Sequence, residues 1–140
     1  MRDSTVKWLS RLHSGVFRVT GGRIGTRLVD NDMLLLTTTG RTTGSPHTVP
    51  LLYLTDNPDV IVIASYGGRP SDPDWYRNLL ANATGTVRIG AVSHSVRATT
   101  MDDDERGEWW PRIVDAYADY AVYQARTDRQ IPVVRLATLD

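Results

Sequence analysis

The residues best equipped for chemistry lie between Gly40 and His47, in the order Gly-Arg-Thr-Thr-Gly-Ser-Pro-His. The glycines free backbone N–H groups to converge on one point. Thr42, Thr43 and Ser45 add hydroxyls, and Arg41 adds a fixed positive charge. Backbone nests of this kind hold phosphate, and a guanidinium can bridge two phosphate oxygens. The same composition would also suit an ordinary hairpin turn. A second place for an anion is the helix start near Pro73 and Trp75, where unpaired N–H groups point outward. Farther along, Tyr117, Tyr120 and Tyr123 recur at every third position, a spacing that lays them along one drifting stripe of a helix. With Trp75 and Tyr76 they offer stacking surfaces and phenol donors, or plain core packing.

Other kinds of chemistry lack their residues. There is no cysteine, so disulfides, thiolate nucleophiles, iron–sulfur clusters and zinc–thiolate sites are excluded. The three histidines are scattered, with no H-x-x-x-H or H-x-H spacing, which leaves a metal site without support. No G-x-S-x-G elbow is present, and Gly40 and Gly44 stand too close for a Walker loop. The acidic run from Asp102 to Glu105 reads as a solvated helix start. Sixteen basic residues balance sixteen acidic ones and the pI is about 6.8, a balance that argues against nucleic-acid binding. No apolar run approaches the ~18 residues of a membrane span. The N-terminus lacks a secretory signal pattern, so a cytoplasmic protein is the default expectation.

The elements that must position these residues follow from periodicity. The chain's 140 residues suit one domain. Residues 5–19 read as a basic amphipathic helix, interrupted by Gly15. It could cap a barrel mouth, or touch a membrane surface or a lipophilic substrate. A glycine-rich connection covers residues 21–32. Strands are expected over residues 33–39 and 47–54, the second carrying Pro50 at a bulge or an unpaired edge. A turn over 55–58 precedes a strand over 59–65 whose apolar run suggests burial on both faces. Asp72 suits an N-cap and Pro73 a first helical residue, with the helix running to about Asn82. A hairpin turns at Gly90 between residues 86–89 and 92–99, with His94 on its wall. A helix opens at Asp102; Pro111 either kinks it or opens another. Residues 131–137 close the chain as a strand. The sum is an α+β domain: a small barrel of about six mostly antiparallel strands with outer helices.

Several of these stretches together resemble the deazaflavin-dependent nitroreductase family of actinobacteria. They are TTTGRTTGSPHTVPLLYL, ASYGG, DWYRNLL, and the tyrosine series before TDRQIP. The resemblance runs in register from about Met33 to the C-terminus. It implies a split β-barrel that binds coenzyme F420, a deazaflavin with a ribityl phosphate, a lactyl group and an oligoglutamate tail. The reduced cofactor would pass a hydride to an electron-poor quinone or nitro-aromatic acceptor. Carried over by position, Gly40, Arg41, Thr42 and Thr43 would cradle the phosphate. His47, Thr48, Val49, Pro50, Leu51 and Leu52 would line the cofactor along the second strand. Ile63, Ala64, Ser65 and Tyr66 would run beside the ring. Asp74, Trp75, Tyr76, Arg77 and Asn78 would hold the tail side. Tyr120 would contact the ring, while Tyr117, Tyr123 and Ser65 would face the acceptor. Thr42 and Tyr66 stand where members often carry lysine, and Arg23, Arg69 and Arg77 could restore the charge. A non-catalytic F420 carrier and an FMN-dependent split-barrel enzyme are the alternative readings. Either a monomer or a homodimer is compatible with the sequence.

Overall fold

A computed structural model describes residues 33–139. The amphipathic helix expected over residues 5–19, the connection after it and Arg23 lie outside the described residues. The strands are β1 (Met33–Thr39), β2 (Pro46–Leu52), β3 (Leu54–Asp56), β4 (Asp59–Ile63), β5 (Thr84–Ile89), β6 (Val92–Thr100) and β7 (Val133–Thr138). The helices are α1 (Asp74–Ala81), α2 (Asp103–Ala116) and α3 (Asp119–Ala125).

All strand pairs are antiparallel, in the sheet order β2-β1-β5-β6-β7-β4-β3. The two edge strands, β2 and β3, are separated by Tyr53 alone. A flat sheet would hold them a full sheet width apart, so covalent continuity forces it to curl until its edges meet. The single strand expected over residues 47–54 is thereby broken at a corner. The sheet gains a seventh strand, and β3 takes the start of the expected 55–58 turn. The corner is pinned by the Tyr117 hydroxyl, which donates to the Tyr53 carbonyl at 3.2 Å. Pro50 lies opposite Leu35 on β2, which pairs with β1 alone. An edge strand tolerates the missing N–H.

Side-chain alternation builds two cores. Leu34, Leu36, Val60, Val62, Val87, Val96, Val134 and Leu136 fill the barrel, where Trp75, Tyr76 and Leu79 of α1 join them. Ile61, Ile63 and Val133 face the other way and pack with Trp109, Ile113, Tyr120 and Tyr123 of α2 and α3. β4 is therefore buried on both faces, as its unbroken apolar run predicts. Each fully buried aliphatic side chain here contributes about 1.5–3 kcal/mol.

Helix starts differ in part from expectation. Asp102 caps α2 by accepting from the Glu105 N–H at 2.9 Å. Glu105 itself is not simply solvated: its carboxylate binds Arg135 Nη2 at 2.7 Å. Arg135 also reaches Asp56 and Asp59, tying β7 to β3, β4 and α2. These hydrogen bonds, Glu105's foremost and against the opposing effect of burial, raise the guanidinium above its ordinary value. α2 continues through Pro111 and ends with Tyr117 as its C-cap. α1 begins one residue later than expected, with Pro73 as N-cap. Asp72 does not cap it, because its carboxylate accepts from the Arg129 guanidinium at 2.8 Å.

Candidate functional site

The Gly40–Ser45 turn is closed by its own backbone. The Gly40 N–H donates to the Ser45 carbonyl at 2.7 Å, and the Gly44 N–H to the Gly40 carbonyl at 2.8 Å. Gly44 has φ +76°, a conformation that disfavours a side chain. The Ser45 N–H is taken by Thr43 Oγ1 at 3.1 Å. The adjacent N–H groups of Thr42 and Thr43 have no hydrogen-bond partner among the described residues.

Arg41 fastens this turn to α1. Its backbone N–H donates to Asn78 Oδ1 at 3.1 Å and its Nη1 to the same oxygen at 2.8 Å. Nη2 reaches Asp74 Oδ1 at 3.1 Å. Asn78 is 3% exposed, and its Nδ2 donates to Thr38 Oγ1 on β1 at 3.1 Å. The expectation put Asn78 beside a ligand's tail. Its amide anchors the loop. The half-exposed Arg41 guanidinium keeps further N–H donors for an anion.

The end of β4 is organised by a second arginine. Arg129 donates through Nε to the Arg69 carbonyl at 2.9 Å, and through Nη2 to the Ser65 carbonyl at 2.8 Å. Both terminal nitrogens also reach the Ala64 carbonyl at 3.3 Å, and Nη1 binds Asp72. Between these points the chain turns sharply: Tyr66, Gly67 and Gly68 have φ of 50°, 66° and 82°. A Cβ on Gly68 would lie 2.6 Å from the Tyr123 carbonyl, so α3 and this turn meet backbone to backbone. Arg126 Nη1 adds a bond to the Gly67 carbonyl at 3.1 Å. Ser65 is left at the turn's entry, 8% exposed, next to buried Ile63 and Ala64. Arg69 stacks over the Tyr66 ring at 4.5 Å, so a positive charge lies beside Tyr66 after all. Arg77 is exposed on α1.

The tyrosine stripe spans a helix break rather than one helix. Tyr117 ends α2, while Tyr120 and Tyr123 belong to α3. The rings still meet edge to face in series, with centroids 5.9 Å apart in both pairs. Tyr120 and Tyr123 are buried. Burial foremost, then Tyr117, Tyr123 and Asp119, pushes the Tyr120 phenol above its ordinary value of 10.0. Tyr120 is therefore a neutral donor at every physiological pH and cannot act as a base. Tyr117 is tied through its hydroxyl to the barrel corner at Tyr53.

The remaining expected residues divide. His47, Val49 and Leu51 share one face of β2. Val49 and Leu51 pack on the barrel core, and His47 stands opposite Thr38 at the loop end. Thr48, Pro50 and Leu52 share the other face, where Thr48 Oγ1 meets Thr37 Oγ1 at 2.7 Å. Trp75 and Tyr76 were expected at an anion-binding helix start. Their rings are turned into the barrel core, and the Tyr76 hydroxyl meets Thr100 Oγ1 at 2.7 Å. Asp72 and Asp74 link the two halves of the site, one gripping Arg129 and the other Arg41. Arg129 escaped the sequence reading, although it lies within the TDRQIP stretch. No cluster of three metal-ligating side chains occurs among the described residues, nor any helix long and apolar enough to cross a membrane.

The loop, with its unpartnered amides among the described residues and its tethered Arg41, offers donors suited to an anionic group. A family model described as F420H(2)-dependent quinone reductase matches residues 8–138. The F420H(2)-dependent quinone reductase Rv1261c of Mycobacterium tuberculosis is 39% identical over 132 residues, 91% of this chain and 89% of that protein. A solved structure described as an F420-H2 dependent reductase superimposes with a TM-score of 0.68 at 40% identity, covering 74% of this chain and 92% of that one. Another, described as a domain-swapped dimer, gives a TM-score of 0.71 at 36% identity over 93% and 97% of the two chains.

Proposed function

This chain belongs to the F420H(2)-dependent quinone reductase family, and from that premise we propose that the site between the Gly40–Ser45 loop and the α3 tyrosines binds coenzyme F420 and a quinone-class acceptor. The protein is an F420-dependent oxidoreductase with a split-barrel fold. Bound in reduced form, the cofactor supplies the hydride. The chain contributes orientation, electrostatics and exclusion of water, so the lack of a strong acid–base pair is no obstacle.

The observation that carries this reading is the pair of N–H groups at Thr42 and Thr43 that have no partner among the described residues, beside a tethered Arg41. Two adjacent amides and a guanidinium match the oxygens of a phosphate. The cofactor's phosphate fits this donor set; its ring would lie along the apolar end of β4, with Val49 and Leu51 as an apolar side. Ser65, the neutral phenol of Tyr120 and the Tyr123 hydroxyl would orient the acceptor and donate hydrogen bonds as negative charge develops on it. Tyr117 would act through the barrel corner. Asp74 is committed to Arg41, and Arg77 is the exposed cation of α1 nearest to a polyanionic tail. Nitro-aromatics are a second acceptor class open to the same geometry. The related structure described as a domain-swapped dimer favours the homodimer over the monomer.

The test is a side-by-side titration with coenzyme F420 and FMN, followed by steady-state oxidation of the reduced deazaflavin against a quinone panel. Tight F420 binding with quinone turnover is expected. Preference for FMN would overturn the cofactor assignment. F420 binding without turnover by any acceptor would replace the reductase with a carrier.

A further inference from the structure

β4 ends at Ile63, which pairs with Val133, and the Ala64 N–H still reaches the Pro132 carbonyl at 2.9 Å. Past that bond the guanidinium of Arg129 stands where a strand partner would. Nη1 and Nη2 both donate to the Ala64 carbonyl at 3.3 Å, and Nη2 donates to the Ser65 carbonyl at 2.8 Å. The Ser65 carbonyl also accepts from the Gly68 N–H at 2.9 Å, so the Ser65 backbone is held twice. None of these bonds uses the Ser65 hydroxyl. The residue is 8% exposed, and its side chain has no hydrogen-bond partner among the described residues. A buried hydroxyl left without a partner is costly, yet the backbone beneath it is firmly fastened. Arg129 is fixed in turn from α3. Gln124 Nε2 donates to the Arg129 carbonyl at 2.8 Å, and Gln124 Oε1 accepts from the Ile131 N–H at 2.9 Å. Tyr120 and Tyr123 lie on that same helix. A short path of hydrogen bonds therefore runs from the tyrosine helix, through Gln124 and Arg129, to the backbone of Ser65.

Resting on the function proposed above, we propose that Arg129 is a positioning residue for the reduction: it sets the Ser65 hydroxyl in register with the phenols of Tyr120 and Tyr123, so that the three meet the acceptor together. It acts through the Ser65 backbone. The role suits arginine and not lysine. A guanidinium is a planar fork of donors, whereas an ammonium is a compact point charge. Here the fork serves the carbonyls of Ala64, Ser65 and Arg69 and the carboxylate of Asp72 at once. Misplacing an orienting group by about 1 Å can cost up to about a hundredfold in rate. Cofactor affinity rests on other residues, since the phosphate donors belong to the Gly40–Ser45 turn and are anchored by Asn78 and Asp74.

The experiment is a double-mutant cycle on the full chain. It reads kcat at saturating reduced F420 and quinone, and F420 affinity by fluorescence titration. Arg129→Lys keeps a charge for Asp72 but loses the fork. It should lower kcat by about tenfold while F420 affinity stays within about twofold. Ser65→Ala should lower kcat by a similar factor. In the Ser65→Ala chain, Arg129→Lys should then change kcat by less than about twofold, because the group that Arg129 aims is gone. A general loosening of the fold would slow both backgrounds alike. Arg129→Gln, which keeps an uncharged donor, takes the place of the lysine variant in the cycle if the latter loses the native near-ultraviolet circular dichroism. Equal kcat losses in the two backgrounds, a native kcat with Arg129 replaced, or a fall in F420 affinity that matches the fall in kcat overturns the proposal. Native kcat in Ser65→Ala, or no turnover of reduced F420 by the native chain, would instead overturn the functional reading on which it rests.

Discussion

Arg41 and Arg129 each fasten a turn to the start of α1, and they differ in what they leave over. Arg129 is 16% exposed and directs its guanidinium at three backbone carbonyls and Asp72. Arg41 is 34% exposed, and its carboxylate partner Asp74 is 81% exposed. One arginine is saturated by its own fold and holds a shape. The other is only tethered and still offers charge. Residue type does not separate these roles; the count of donors already in use does. The same contrast extends to their surroundings. The Ser65–Arg69 turn is pressed backbone to backbone against α3, while the Gly40–Ser45 turn is exposed from Arg41 on, with two amides unpartnered among the described residues.

The contrast can be broken most directly at Arg129. Arg129→Ala strips the partners from the buried Ala64 carbonyl and leaves Asp72 unpaired, and should cost about 3 kcal/mol of stability in a denaturant titration. A loss as small as that of a surface arginine would erase the distinction. Gly68→Ala should follow at about 1–3 kcal/mol, because a side chain is forced into a positive φ and against the Tyr123 carbonyl; the same titration reads it. Arg41→Ala should do the reverse. Stability should change by less than about 1 kcal/mol, while F420 affinity falls by at least about tenfold, measured by fluorescence titration. Equal damage to stability and binding would make Arg41 a second Arg129. The smallest effect sharpens the buried side. Tyr120 in the unfolded chain ionises near its ordinary value of 10.0, and in the fold well above it. The unfolded state therefore releases its proton first. Tyr120's stabilisation is complete below that value and lost as pH climbs past it. Tyr120→Phe should remove that part of the alkaline decline, by about 1 kcal/mol near pH 11, in urea midpoints compared at neutral and alkaline pH.

Local features were legible in the chain. The loop's donors are contiguous, so their chemistry could be read before any fold was known. Pro50 marked a bulge or an edge because it lacks an N–H, and the sheet shows the edge; the run from Val60 to Ile63 marked a strand buried on both faces. The hairpin at Gly90 and the cap at Asp102 are likewise contacts between near neighbours. Where the reading departed from the structure, a distant partner had intervened. Asp72 is a good cap, but a guanidinium 57 residues away in sequence competes better for its carboxylate than a backbone N–H. Asn78 is drawn inward by Thr38, 40 residues earlier. Trp75 and Tyr76, for which the sequence left stacking and core packing both open, turn their rings into the barrel core, where their large apolar surface is buried.

By itself, then, the sequence set the strands through periodicity and offered a contiguous polar turn suited to an anion or to a plain hairpin, and the family resemblance named the ligand. The tertiary structure decided which residues remain available to that ligand. The sheet closes because Tyr53 alone joins its two edges, the pairing of β7 with β4 brings Arg129 to Ser65, and the turn after β4 meets the Tyr123 carbonyl. The imidazole of His47 comes to lie on Gly40 through the pairing of β2 with β1. A donor's availability depends on what else lies within hydrogen-bond distance, and that distance is set by the folded chain rather than by position along it.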